Sequence, residues 1–491
     1  MTIKTLRKAA LAAAICSVYG GTFSSGALAA GFALQESSTT GLGRAFAAEN
    51  AIGDNAAILA RNPAGSALFN EMAFSVGVTY VNPEIDAAGT TDYYLLTSTG
   101  PSLAASVFDT ANDYASSAFV PNAYLAVPFD DCWSFGLAMN TDYGLETDFD
   151  ADWPVTHIAD KTELLSVNIA PSVAFDWNDQ FSIGVSANFL YADATLKSKV
   201  PRDFVLDAAA QQLLGTSVSD ARILDADGDD WDYGWSIGAL WRSVDGRTHI
   251  GVSYQSELDP EIEADVDSDL LQAFNNAGQP IGTFSNERAN LTLDLPDTFE
   301  LGIYHRFHDE WGVAFGAMWT DWDDFERLEA FFPGQVAGGE PIPDYNPLLI
   351  KEENFSSGWR YSLGLEYYPC DEVTWRIGYA YDEGAARNGF NEDAILESQS
   401  VGFVPDGLPV TWRTLSIPDA NRQWVTFGGT YEFNNQLSID GGLAYLWGDD
   451  ERIQEFQALP LTPDIGLGTY FDGGTTNLEA WLIGASLNYS F

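Results

Sequence analysis

The chain has 491 residues, 46% of them hydrophobic, and its 71 acidic and 22 basic residues give a formal net charge of −49. This hydrophobic content argues against a disordered chain. The negative charge argues against nucleic acid as a partner, because phosphate binding requires a basic surface.

The first 29 residues have the three parts of a secretory signal peptide. Three basic residues within the first eight precede an apolar run from Ala9 to Val18, and small residues ending at Ala29 follow. The run is too short to span a membrane as a helix. We therefore expect cleavage after Ala29, which leaves 22 − 3 = 19 basic residues and a net charge of 19 − 71 = −52.

Residues 30–71 form a segment that differs from the rest of the chain. Within it, Ile58–Asn70 reads ILARNPAGSALFN, where an apolar, helix-forming run meets a turn at Asn62, Pro63 and Ala64. Asn is a good helix cap and Pro suits the first helical position. Taken alone, the pattern is typical of an ordinary junction between a helix and a turn.

From residue 72 onward the chain alternates apolar and polar residues with the period of β-strands. The clearest runs are FSIGVSANFLY (181–191), QLSIDGGLAYLWG (436–448) and EAWLIGASLNYSF (479–491). Runs of this length, with aromatic residues near their ends, suit tilted strands that cross a bilayer better than the shorter strands of a soluble sandwich. No run of 18 apolar residues follows the signal, so we expect no transmembrane helix.

Short and long connections alternate between these strands. Six short polar turns lie at Pro128–Cys132, Trp177–Asp179, Val244–Gly246, His308–Glu310, Pro369–Glu372 and Asn434–Gln436. Seven long acidic segments lie near residues 83–116, 145–160, 196–229, 265–285, 328–354, 383–420 and 449–474. The pattern predicts an all-β transmembrane barrel of 14 antiparallel strands over residues 72–491, with short periplasmic turns and long external loops. Such a barrel is too wide for wall side chains to fill, so it must be an open pore or be plugged.

Several stretches, in their order and spacing, resemble the FadL family of outer-membrane long-chain fatty-acid transporters from Ala30 to Phe491. They include GFALQESSTTGLGRAFAAENAIGDNAAILARNPA, DYGLETDF, LTLDLPDTFELGIY and SIPDANRQW. The resemblance implies passive uptake of a long-chain fatty acid or a similar hydrophobic molecule across a bacterial outer membrane, without a cofactor or metal. It also implies that residues 30–71 are a mostly helical hatch that plugs the lumen, and that Asn62, Pro63 and Ala64 belong to it. The partners implied are lipopolysaccharide, outer-membrane lipid and the barrel-assembly machinery, and the protein is expected to be a monomer.

Basic residues are scarce, so those in the long loops are candidates for binding a carboxylate. Lys351, in LLIKEENF, matches the family position that contacts the bound carboxylate, and Phe355 follows it. The second family cation aligns near Ser198, which is not basic, so nearby cations would have to substitute for it: Lys197, Lys199 and Arg202. Alternatively, these basic residues bind lipopolysaccharide phosphates or flank strands.

Two external loops contain apolar stretches of helical character, FVLDAAAQQLLG and SDLLQAFNNAG. Exposed apolar side chains on a secreted protein need burial against one another or a ligand. In the family, the corresponding loops form a groove that captures the substrate. The resemblance therefore predicts further substrate-binding residues, including one in the N-terminal segment: Phe32, Phe204, Leu206, Leu270, Leu271 and Phe274.

The stretch Asp142-Tyr143-Gly144 interrupts a strand, and Gly weakens strand pairing. Family members have a kink here that opens the wall sideways, next to the segment holding Ala118, and Thr141 flanks the same place. Lateral release is physically reasonable, because a fatty tail gains nothing by entering water. Release past the hatch is the alternative route.

Two other classes of function are alternatives. An outer-membrane acyl hydrolase would need a nucleophile, but the chain has no G-x-S-x-G motif, and its four histidines lack a nearby Ser with an orienting acid. A general porin would pass small polar solutes and would lack a hatch. The acidic run Asp225–Asp230 resembles part of a calcium loop but lacks the downstream Glu, so a solvated loop is expected there. The natural cargo, fatty acid or hydrocarbon, is left open.

Overall fold

The barrel wall consists of strands, several of which have two segments. The computed structural model describes residues 31–97, 99–269, 272–274, 280–283, 287–331, 336–337, 340–341, 349–390, 408–462 and 465–491. The wall strands are β1 (Ala73–Thr97), β2 (Gly100–Ala111 and Ala118–Pro128), β3 (Trp133–Asn140 and Gly144–Asp148), β4 (Lys161–Asn178), β5 (Phe181–Lys199), β6 (Arg222–Arg242), β7 (Thr248–Gln255 and Glu261–Asp267), β8 (Glu287–Thr292 and Thr298–His308), β9 (Trp311–Thr320 and Arg327–Phe331), β10 (Leu349–Glu352 and Gly358–Cys370), β11 (Val373–Asp382), β12 (Arg422–Asn434), β13 (Leu437–Gly448 and Glu451–Thr462) and β14 (Ile465–Ser490).

Each strand pairs antiparallel with the next along the chain, and β14 closes the barrel against β1. The closing register runs from Ser490 opposite Ala73 to Ile465 opposite Thr97. The predicted barrel of 14 antiparallel strands is confirmed. Two small hairpins lie outside the wall, Gln272–Phe274 with Pro280–Thr283 and Val336–Ala337 with Glu340–Pro341.

Two rings of outward-facing aromatic residues mark the levels of the membrane interfaces, as is typical of outer-membrane barrels. One ring lies near the short turns and includes Trp133, Trp177, Trp241 and Trp375. The other lies toward the long connections and includes Tyr233, Trp235, Trp359 and Trp481. Between the rings the exposed side chains are mainly aliphatic, because this face contacts lipid.

Several strands extend far beyond the membrane, which the sequence did not predict. The strands β1 and β14 have 25 and 26 residues, whereas about 9–11 residues cross a bilayer. The segments predicted as loops near 83–116 and 449–474 are largely paired strand, and Asp225–Asp230 lies within β6. Their acidic composition reflects an outer face in water rather than a lack of pairing.

The helices are short: Thr39–Leu42 and Asp207–Leu214 are α-helical, and Ala56–Ala60, Pro63–Leu68 and Trp322–Asp324 are 3₁₀ turns. Across the described ranges, none of the helices has the length and apolar character needed to cross a membrane.

The N-terminal segment, residues 31–71, lies inside the barrel. Asn50 Nδ2 donates hydrogen bonds to Ser253 Oγ (3.2 Å) and to the Glu300 carbonyl (2.9 Å). The segment approaches the wall closely where the wall has Gly378 and Gly428, since a Cβ there would lie 2.3 Å and 2.6 Å from its backbone. Side chains at these wall positions would push the segment out of place.

The expectation that this segment is mostly helical is wrong. Its helical residues are confined to Thr39–Leu42, Ala56–Ala60 and Pro63–Leu68. Between the first two, Ala45, Phe46 and Ala48 have φ between +54° and +58°, a left-handed conformation that ends a right-handed helix. The resulting chain of turns follows the inner surface of the wall, where it approaches Gly378 and Gly428.

Candidate functional site

The start of the N-terminal segment pairs with an interruption in β3. The Leu34 N–H donates to the Asp142 carbonyl (2.7 Å), and the Gly144 N–H donates to the Phe32 carbonyl (3.0 Å). The interruption is held from the side of β4, where Ser166 Oγ donates to the Tyr143 carbonyl (2.8 Å). The chain therefore enters the wall at the site where the sequence predicts a kink.

The pairing between β2 and β3 stops at this interruption. Its last pair is Ala123 opposite Met139, although β2 continues pairing with β1 as far as Ala118. Beyond Gly144, β3 pairs with β4, and an isolated bridge joins Ala115 to Thr147. Between these points, residues 118–122 of β2 and 140–146 of β3 share no described backbone hydrogen bond. We call this stretch the wall gap.

The wall gap brings together every residue predicted for the kink: Ala118, Thr141, Asp142, Tyr143 and Gly144. Ala118 and Thr141 are buried, at 2% and 6% exposure. Asp142 is fixed by two amides, because Asn168 Nδ2 donates to its Oδ2 (2.7 Å) and Asn140 Nδ2 donates to its Oδ1.

An aromatic pocket lies beside the wall gap. Phe32, 1% exposed, has its ring centroid 4.7 Å from that of Trp322 and 5.2 Å from that of Phe325. The Tyr143 and Phe355 rings complete the pocket, at 6.2 Å from Phe32 and 5.0 Å from Phe325. Buried aliphatic residues surround it, among them Leu190, Ile262, Leu291 and Leu328. We call the site bounded by the rings of Trp322, Phe325, Tyr143 and Phe355, which the Phe32 ring fills, the aromatic pocket.

Sequence reasoning identified Phe32, Phe355 and Tyr143 but missed Trp322 and Phe325. Their signal was available in WTDWDDFERLE, where aromatic residues continue past the end of the first segment of β9. Trp322 Nε1 is buried and has no hydrogen-bond partner among the described residues. The backbone of Lys351 pairs with that of Leu328, a neighbour of the pocket.

The other predicted cations are not brought to the pocket. Leu196 and Ser198 face inward, at 7% and 8% exposure, so Lys197 and Lys199, which alternate with them, face outward. Lys197 Nζ lies 3.0 Å from Asp225 Oδ1, and Lys199 Nζ lies 2.9 Å from Asp160 Oδ1. Arg202 is exposed in the loop that follows. A shift of one residue along a strand moves every side chain to the opposite face, and the sequence did not show which face Lys197 and Lys199 take.

One of the two apolar external loops packs against wall strands. The Phe204 ring lies 5.4 Å from that of Tyr93, edge to face, and Leu206 joins the same cluster beside the helix Asp207–Leu214. Phe274 ends the short strand Gln272–Phe274, and Leu270 and Leu271 lie outside the described residues. Phe204 and Leu206 therefore pack on their own loop and on neighbouring wall strands, and this packing does not exclude a capture groove.

A second external segment, residues 149–160, lies under these loops. The Tyr93 hydroxyl donates to the Pro154 carbonyl (2.5 Å) and its ring lies 6.1 Å from that of His157. Both His157 nitrogens are buried without a hydrogen-bond partner among the described residues. Burial therefore lowers the pKa of His157 to about 3. Burial also raises the pKa of Asp160, although Lys199 acts against this shift.

A buried ion cluster fastens the opposite side of the N-terminal segment. Arg44 Nη1 lies 2.5 Å from Asp54 Oδ2 and 3.1 Å from Glu366 Oε1 of β10, and Arg44 Nη2 lies 2.8 Å from Glu49 Oε2. Arg376 of β11 joins the cluster, with its Nε 2.9 Å from Glu366 Oε1. Within the described ranges, no group of His, Cys, Asp and Glu side chains is arranged to hold a metal ion.

A model of the family described as "Outer membrane protein transport protein (OMPP1/FadL/TodX)" matches residues 21–396 and 401–491. The chain belongs to this family. The long-chain fatty acid transport protein of Escherichia coli strain K12 is 30% identical to this FadL-family chain over 511 aligned residues, covering 100% of both. The family places the protein in the bacterial outer membrane.

Solved structures share the fold of this FadL-family chain. The crystal structure of a Pseudomonas aeruginosa FadL homologue superposes with a TM-score of 0.72 at 21% identity, covering 94% of this chain and 100% of that one. The crystal structure of the Ralstonia pickettii toluene transporter TbuX gives a TM-score of 0.53 at 16% identity, covering 89% and 94%. These likenesses concern the architecture of the barrel.

Proposed function

We propose that the protein takes up long-chain fatty acids, or hydrophobic molecules of similar shape, by passive passage through its lumen. The observation that carries the proposal is the junction of the aromatic pocket with the wall gap, because Phe32 fills the first while its own carbonyl is bonded at the second. An apolar tail that displaced Phe32 would contact the remaining rings of the aromatic pocket, and it would then lie next to a route into the lipid. The relative in Escherichia coli named as a long-chain fatty acid transport protein supports the same cargo.

In this proposal the residues 30–71 act as the hatch. They cross the lumen from the aromatic pocket to the ion cluster of Arg44, so they obstruct axial passage of polar solutes. The external loops capture the cargo, the aromatic pocket with Lys351 and Phe355 holds it, and the wall gap releases it sideways. Lateral release keeps the tail out of water throughout.

Hydrocarbons are the second candidate cargo. The described side chains of the aromatic pocket are aromatic and aliphatic, which suits a molecule without a head group equally well. The shared fold of a toluene transporter is consistent with this cargo. The two candidates differ in whether a carboxylate is recognised.

The remaining partners are also proposals. Lys197 and Lys199 lie on the outward face of β5, farther from the short turns than the exposed Tyr233 and Trp235, and this direction supports the alternative role of binding lipopolysaccharide phosphates. We also propose assembly by the barrel-assembly machinery and a monomeric state. We propose transport without chemistry, since His305 Nδ1 contacts Thr248 Oγ1 (3.0 Å) at an exposed site near the short turns rather than in the lumen.

The proposal is tested by uptake in a bacterial strain deleted for its own fatty-acid channel. Cells expressing the chain should accumulate labelled oleate, labelled hexadecane or both, whereas cells expressing a vector control should not. Mass analysis of lipid extracted from the purified protein should find the same class of molecule. Uptake of small sugars without uptake of either probe would indicate a porin, and release of free acid from an added ester would indicate a hydrolase.

A further inference from the structure

A second, polar chamber lies between the N-terminal segment and the wall, next to the wall gap. Its cavity measures about 50 Å³, which holds a few water molecules or one carboxylate group but no acyl chain. Its lining is mainly polar and comes from both sides: Asn140, Asp142, Asn168, Asn188, Glu300 and Arg61.

Arg61 is the basic residue of this chamber, and it immediately precedes Asn62 and Pro63. Its Nη2 donates to the Gln35 carbonyl (3.1 Å) and to Gln35 Oε1 (2.9 Å), and its Nε donates to Ser37 Oγ (3.3 Å). The partner of Nη1 is the thioether sulfur of Met318, at 3.5 Å. A thioether is a weak acceptor, so Nη1 is held in place with capacity for a stronger partner.

The other arginines that line the lumen are already paired with acids. Arg44 and Arg376 share Glu366, and Arg360 Nη1 lies 3.3 Å from Asp382 Oδ2. Among the described residues, no carboxylate lies within 4.0 Å of the Arg61 guanidinium. The Arg61 side chain is partly buried, and the carboxylates of Glu36, Asp142 and Glu300 act on it from beyond that distance.

We infer that Arg61 binds the carboxylate of the departing fatty acid in this chamber while the tail passes through the wall gap. The inference rests on the proposed function and adds a head-group site on the N-terminal segment itself. Asp142 and Glu300 line the same chamber and repel the anion, so they confine the head group to the end with Arg61. The Nη1 group of Arg61 can donate a charge-assisted hydrogen bond to a carboxylate, and a hydrocarbon cannot accept it.

The variant Arg61→Gln tests this by comparing oleate with hexadecane in the same cells. Oleate uptake should fall about tenfold or more, the effect of losing a charge-assisted contact, and hexadecane uptake should not change. Arg61→Lys should recover part of the oleate uptake, since it keeps the charge and loses the fork. Arg452→Gln, which removes an exposed external arginine paired with Asp472, is the matched control and should transport both probes normally.

The variant Met318→Glu provides a second test with Arg61 intact. The new Glu carboxylate would accept the hydrogen bond of Arg61 Nη1, so oleate uptake should again fall while hexadecane uptake does not. If Arg61→Gln does not assemble, Met318→Glu serves as the test in its place. An equal loss of oleate and hexadecane uptake, or no loss of either, would overturn the inference but not the proposed function. A wild-type protein that takes up hexadecane but not oleate overturns the fatty-acid cargo and this inference together.

Discussion

The N–H of Leu34 donates a 2.7 Å hydrogen bond to the carbonyl of Asp142, so the first described residues of the chain complete a place where a wall strand is broken. This contact belongs to the same short stretch as Phe32, whose ring fills the aromatic pocket. A molecule that displaces Phe32 from the pocket therefore also weakens the hydrogen bonds that Phe32 and Leu34 form across the wall gap.

Replacing Phe32 with Ala should make the purified protein bind oleate at least tenfold more tightly, about 1.4 kcal/mol. The physical reason is that the ligand no longer has to displace a ring packed against Trp322 and Phe325. Displacement of a fluorescent fatty acid measures the affinity. Phe129→Ala, at a side chain 84% exposed, is the control and should not change it. Weaker binding by Phe32→Ala would show that the ring is part of the binding surface rather than its occupant.

Deleting residues 30–70 should leave a barrel that assembles and conducts ions. The wall forms its backbone hydrogen bonds without this segment, since β1 begins at Ala73 and closes on β14, while the lumen loses its obstruction. Conductance in planar bilayers is the measurement. A conductance equal to that of the intact protein would contradict the hatch proposal.

Filling the wall gap should abolish uptake while sparing capture. Ala118→Glu combined with Thr141→Arg places two long side chains where the structure has two small ones, and their bulk obstructs a passage wide enough for one acyl chain. Oleate binding to purified protein should persist while cellular uptake falls to background. Uptake at the normal rate by the folded double variant would indicate release past the N-terminal segment.

Lys351→Glu should weaken oleate binding by about 1.5–3 kcal/mol, the contribution of a charge-assisted hydrogen bond, and should leave binding of a matched alkane nearly unchanged. Lys197→Glu is the control, because the Lys197 side chain is paired with Asp225 on the outer face. Titration of both ligands against both variants gives the comparison. An equal loss for oleate and alkane would assign Lys351 a packing role.

Acidification should loosen the external segment 149–160. Burial lowers the folded pKa of His157 from 6.5 to about 3, so its contribution to stability is present above pH 6.5 and is lost progressively as the pH falls toward 3. Asp160, with a raised pKa, acts in the opposite direction. The hydrogen-exchange protection factors of this segment, which are corrected for the intrinsic effect of pH, should therefore fall at pH 4.5 in the wild type and much less in His157→Phe. An identical fall in both would assign the effect to other groups.

The sequence predicted the wall, because alternation is a local signal, whereas the kink was predicted from the family resemblance and not from its Gly alone. It did not predict the packing of Phe32 on Trp322, because those residues are far apart in the chain and meet only when the barrel closes. The outward direction of Lys197 depends on strand parity, which a one-residue shift reverses. The ion pair of Arg44 with Glu366 was missed for the same reason as the aromatic pocket. In both, the partner lies far along the chain, in the turn Trp322–Asp324 or on β10.

The ion cluster of Arg44 has a consequence for the order of events during biogenesis. Arg44 belongs to the part of the chain that is synthesised first, whereas Glu366 and Arg376 lie on β10 and β11, which are synthesised late. The ion cluster can therefore form only once β10 and β11 are in place. The contact of Leu34 with Asp142 on the early strand β3 can form before it, so we expect the segment to be fixed first near Leu34 and last at Arg44.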